Sequence, residues 1–185
     1  MGIAYRHLES RTLLVPVSFD RFALTGSIHV AGMRLVRKIE LHVTVIGSDL
    51  GRKLDESIAE NPAIASAFDE LIAAADFDWT LSSPPSIWHL HADVPRALDT
   101  VIVLVDMPGV ADFFAACAAR LTRLAPELVP WLPPPTHVTL YTSDPHGKHA
   151  IGISQPDELA RARDRAAAIG QHAGLHAWPL ELDIT

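Results

Sequence analysis

The chain holds one cysteine, Cys117. A single thiol excludes an internal disulfide framework and any multi-cysteine zinc site. It lies in the apolar, helical-looking run Phe114–Ala119, where a buried and inert thiol is expected. Long apolar stretches are also missing: Leu13–Val17 is far too short for a membrane span or a signal-sequence core. Positive charge is in deficit, with 15 Lys and Arg against 22 Asp and Glu and a net charge of −7. That balance argues against a basic surface gripping a long nucleic acid non-specifically. No G-x-x-x-x-G-K-[ST] phosphate loop occurs, so Gly47-Ser48-Asp49 reads as a strand-to-helix turn. The expectation is a soluble, cytoplasmic protein with no membrane partner.

What remains is an ordinary globular composition: 185 residues, 49% apolar and 20% charged. That length suits one domain over 1–185, built as a single body or as two small lobes, with enough apolar surface for a real core. Strand patterns fall at Thr12–Phe19, Ala23–Val30 and, most clearly, the alternating Ile39–Gly47. Helical composition spans Asp55–Ala75, with Pro62 opening its better-defined half. Phe77–Ser82 and Ile87–Ala92 read as two strands joined at Ser83-Pro84-Pro85, and Thr100–Asp106 as a buried central strand. An amphipathic helix over Val110–Leu124, a spacer at Pro130–Pro135 and a strand at Thr136–Thr142 follow. A helix at Glu158–Ile169 and a strand at Leu180–Ile184 complete the expectation. This order indicates an α+β fold with antiparallel pairing.

Two short segments carry the chemistry: His42-Val43-Thr44-Val45 and His137-Val138-Thr139-Leu140. In a strand, residues i and i+2 share a face. Val43, Val45, Val138 and Leu140 can anchor the core while His42 with Thr44, and His137 with Thr139, project from the other side. With ten His and ten Thr in the chain, H-x-T is expected about 0.5 times by chance. Apolar residues at both flanking positions reduce two hits to about one chance in a hundred. Two imidazoles titrate near neutrality and can serve as a paired acid and base. Two hydroxyls can donate to the oxygens of a phosphate where charge builds up. A phosphodiester can be cleaved by such a set with no metal and no cofactor.

The paired H-x-T-x strands, roughly 95 residues apart, resemble the signature of the 2H phosphoesterase superfamily, which includes the 2′-5′ RNA ligase-like proteins and cyclic phosphodiesterases. The resemblance covers about residues 10–185 and rests almost wholly on the two motifs. It implies a two-lobed, pseudo-twofold fold, each lobe a mainly antiparallel sheet with helices outside, around a central catalytic groove. It implies His42, Thr44, His137 and Thr139 as catalytic residues. It also implies a nucleotide, a cyclic phosphate or an RNA terminus as substrate. The other reading is a non-catalytic module that binds a nucleotide or RNA end on the same fold. Many relatives follow the second motif with a basic residue, whereas Tyr141, Thr142 and Ser143 stand here.

By strand parity Tyr141 shares a face with His137 and Thr139, where it can stack on a base, bond a phosphate or simply pack. Arg34, Arg37 and Lys38 form either a solvated charged face or a local pocket for an anion. His89 and His91 also share a strand face. With no third ligand at motif spacing they read as exposed strand residues rather than a metal site, with Trp88 and Leu90 buried.

Overall fold

The computed structural model describes residues 5–7, 11–93, 97–128, 131–167 and 174–184. Pro130 of the expected spacer, and Ala168 and Ile169 of the expected last helix, lie outside them. The architecture is α+β: a mostly antiparallel sheet that does not close on itself, and four α-helices among the described residues. The chain divides into two compact units, one from 1–15, 44–80 and 106–134, the other from 16–43, 81–105 and 135–185.

The first unit is helical. Strand β1 (Tyr5–His7) pairs antiparallel with β2 (Thr12–Val17). Helix α1 (Ser48–Glu60) starts directly after Gly47, earlier than expected, and stops at Asn61 before Pro62. Asn61 Oδ1 then accepts the Ala63 N–H at 3.2 Å and opens α2 (Ala63–Ala74). The single helical stretch read from the sequence is therefore two helices, because proline donates no N–H and breaks the ladder. Helix α3 (Pro108–Leu121) has proline in its first turn, where a missing N–H costs nothing. Its buried stripe, Val110, Phe113, Phe114, Cys117 and Leu121, makes the core. Phe113 meets Phe77 edge-on at 5.4 Å, and Phe114 meets Trp131 at 6.2 Å. Burial of each such large side chain contributes about 1.5–3 kcal/mol. Burial also pushes the Cys117 thiol up to about 12, so it is inert. Gly51 and Gly109, in the first turns of α1 and α3, lie against the carbonyls of Arg11 and Asp76 with no room for a Cβ.

The second unit holds most of the sheet. Strands β3 (Ser27–Val30) and β4 (Met33–Arg37) form a hairpin closed by Ala31 at φ 50° and Gly32 at φ 80°. Positive φ at both positions matches the twist of a two-residue hairpin turn. Strand β5 (Leu41–Ile46) begins in this unit and pairs with β9 (His137–Thr142), whose far end pairs with β4. On the other side of β9 come β8 (Leu98–Asp106), β7 (Ile87–Ala92) and the edge strand β10 (Leu175–Pro179). Helix α4 (Glu158–Ala167) and Ile153 pack on Leu90, Ile102 and Ala177.

Two expectations fail here, and strand β4 has no counterpart among the expected strands. The short β6 (Thr80–Leu81) pairs with β8 instead of forming a hairpin with β7. The last strand lies at Leu175–Pro179 rather than Leu180–Ile184. The tail beyond it makes isolated bonds, Leu180 N–H to Ile87 O and Ala23 N–H to Ile184 O, both 2.9 Å.

Candidate active site

Val43 of β5 lies directly across from Val138 of β9 in an antiparallel ladder. That one pairing fixes the parity of both strands. Val43, Val45, Val138 and Leu140 are fully buried, while His42, Thr44 and Thr139 are half-buried. The two valines therefore point into the core, and their neighbours point together from the opposite face. Antiparallel register sets His42 across from Thr139. His137 is then its diagonal neighbour on the same face, about 7–8 Å away for such pairs. Thr44 continues the His42 face along β5.

His137 is the more enclosed histidine, 8% exposed. Its Nδ1 lies 2.9 Å from the carbonyl oxygen of Pro135. A carbonyl can only accept, so Nδ1 carries the proton and the neutral ring leaves Nε2 bare. Burial pushes the ring below the ordinary histidine pKa. The Pro135 bond and the charge of Glu158 oppose that shift without cancelling it. His137 is thus held neutral and in one tautomer.

A strap over residues 148–153 runs beside this ring. Lys38 Nζ donates to the Lys148 carbonyl, and the Thr142 hydroxyl donates to His149 O at 2.6 Å. The Ile151 N–H donates to Thr100 Oγ1 at 3.1 Å, and Ile153 is buried in the core. Between these anchors, Gly152 faces the His137 ring: a Cβ there would stand 2.6 Å from Nε2. The sequence pattern gives Pro135 as the end of a spacer and Glu158 as the start of a helix, without their places beside His137, and only the glycine between two isoleucines marks the strap.

The parity that puts Tyr141 on the His137 face does not carry past Thr139. The β8–β9 register shifts between Val101 and Ile102, which pair with Tyr141 and Thr139 and leave Leu140 as an extra residue. Such a bulge breaks the alternation on which the parity argument stood. Tyr141 is 2% exposed, and its hydroxyl accepts the Thr25 N–H at 3.1 Å. It packs.

The Arg34/Arg37/Lys38 group does not form one pocket. Arg34 is exposed and bonds Ser27, Arg37 lies 5.0 Å over the Phe19 ring, and Lys38 is buried on the strap. His89 is buried rather than exposed, under the ring of Trp178 at 5.5 Å. Its Nε2 donates to Asp99 Oδ1 at 2.8 Å, and His91 Nδ1 donates to the same oxygen at 3.0 Å. His91 Nε2 lies 2.8 Å from Asp93 Oδ1. These ring nitrogens meet carboxylate oxygens. Among the described residues, no three His, Cys, Asp or Glu side chains are placed to hold a metal ion.

No protein-family model, curated protein or solved structure matches this chain.

Proposed function

We propose that the protein is a metal-independent phosphoesterase that hydrolyses a cyclic phosphate or phosphodiester of a nucleotide or RNA end. The pairing of Val43 with Val138 carries this reading, because it turns both H-x-T motifs onto one face. The two-lobed arrangement of 2H phosphoesterases belongs to the same proposal.

His137, neutral and with Nε2 bare, takes the proton from an attacking water. The new P–O bond forms in line as the bond to the leaving oxygen breaks, and His42 as an imidazolium protonates that oxygen. Thr44 and Thr139 donate hydrogen bonds to the non-bridging oxygens. A cyclic phosphate leaves as a monoester, and the two histidines end with exchanged protons.

The test is a panel of 2′,3′-cyclic nucleotides, cyclic-phosphate RNA ends, 2′-5′ linkages and a cyclic phosphate of ADP-ribose, assayed in the presence of chelator. Turnover is expected, and His42→Ala or His137→Ala should lower it about 10²–10⁴-fold. His137→Ala should also melt lower, because it empties a buried site and leaves the Pro135 carbonyl without its donor, so its activity is read at a temperature where the variant is folded. The double variant should be little worse than either single one. Full activity in either single variant would place the chemistry elsewhere. Tight binding without turnover would favour the binding-module reading.

A further inference from the structure

The contact between Gly152 and His137 has no backbone cause. Gly152 does not occupy the positive-φ region, so an alanine there meets no conformational penalty. What excludes a side chain is the imidazole: the ideal Cβ would lie 2.6 Å from Nε2, 3.2 Å from Cε1 and 3.9 Å from Cδ2. Nor can either partner move away freely. The ring is buried and tied through Nδ1 to Pro135 O. On the chain side, Ile151 N–H is tied to Thr100, and Ile153 is 3% exposed in the core. Beyond it, the Ser154 and Gln155 N–H groups donate to the Glu158 carboxylate. The strap is fixed on both sides of Gly152.

We propose that Gly152 is a positioning residue for His137: the tethered strap is the wall that holds the imidazole against Pro135, and only glycine lets that wall stand at this distance. The catalytic half of this proposal rests on the phosphoesterase reading. A Cβ at residue 152 forces the ring off its carbonyl partner, and displacements of about 1 Å at a reacting group cost on the order of 10²-fold in rate. Binding of the substrate phosphate by the threonines is untouched, so the loss falls on kcat and not on KM.

The measurement is NMR of the His137 ring alongside kinetics. In the unaltered protein, a nuclear Overhauser contact between the Gly152 α-protons and the His137 ring protons is expected. In Gly152→Ala, the Nδ1–H tautomer of His137 should be lost or mixed, its titration midpoint should move, and kcat should fall about 10²-fold with KM nearly constant. Thr100→Val, isosteric and without the acceptor for Ile151 N–H, loosens the strap without adding an atom. It should raise the His137 midpoint toward the ordinary histidine value, and it decides the matter if Gly152→Ala does not fold. An unchanged tautomer and midpoint in both variants would overturn the proposal whatever the activity. A displaced ring with kcat unchanged would instead overturn the catalytic role of His137, and with it the phosphoesterase reading.

Discussion

His91 is expected to make the stability of this protein depend on pH, in a direction set by its two partners. Its Nδ1 lies 3.0 Å from Asp99 Oδ1 and its Nε2 2.8 Å from Asp93 Oδ1. Ionised carboxylates only accept, so both nitrogens must donate and the ring must be an imidazolium. Burial alone would pull its pKa down. The bonds to Asp93 and Asp99, with their charges, outweigh burial and hold the pKa above the ordinary histidine value. On the same face stand His89, two residues along β7, and His176, the register partner of His91 on β10.

A raised folded pKa means that the folded state keeps its proton after the unfolded chain has released it. The stabilisation is therefore complete below about pH 6.5 and disappears as pH rises through the folded pKa. A charge-assisted hydrogen bond contributes about 1.5–3 kcal/mol when shielded. Asp93 is half exposed, so water and salt screen its share, and about 1–2 kcal/mol is expected for the ring as a whole. The assay is urea unfolding of the wild type and His91→Gln at steps from about pH 5.5 to 8.5, with the His91 ring followed by NMR. The stability gap between the proteins should shrink by about 1–2 kcal/mol across that window. His137 works in the opposite sense, because its folded pKa is lowered, and the subtraction removes its contribution. A gap that stays flat, or a His91 midpoint at or below the ordinary value, would refute the two-carboxylate assignment.

The acid limb of kcat/KM should lie below the ordinary histidine pKa, because burial lowers His137 and activity falls only once that ring takes a proton. A limb above about pH 6.5 would remove His137 as the base. Thr44→Val and Thr139→Val should each lower kcat on the order of 10²-fold with unchanged melting, as for a lost oxyanion donor. Tyr141→Phe should destabilise by about 1 kcal/mol, the worth of one hydrogen bond to Thr25, and leave KM alone. A changed KM would make Tyr141 a substrate contact after all.

Strand β5 was legible because it alternates: its apolar residues face a core and its polar ones do not. The motif pair was legible for the same reason, since Val43 and Val138 announce which way His42 and His137 must point. Local alternation fails where a partner decides. The bulge at Leu140 comes from how β9 meets β8, so nothing near Tyr141 shows that the parity breaks there. His89 reads as a surface residue in the sequence because the groups that cover it, Asp99 and Trp178, come from its two neighbouring strands, β8 and β10. Strand β4 was hidden by its exposed Arg34 and Arg37, although Ala31-Gly32 marks the turn that begins it. The bond from His137 to Pro135 uses a backbone carbonyl, which no residue type reveals.

Each compact unit is assembled from three separate stretches of chain, and these alternate along its length. During synthesis the last stretch of the first unit, 106–134, leaves the ribosome before any residue of the last stretch of the second, 135–185. The first H-x-T strand is made early, but its ladder partner Val138 is among the residues made late. For most of translation Val43 therefore has an unfilled hydrogen-bonding edge. A truncation near residue 134 would release a chain containing every residue of the helical unit and only half of the histidine pair. Such a product could not acquire the proposed activity by refolding alone, and it would expose an edge strand of the kind that pairs with other chains.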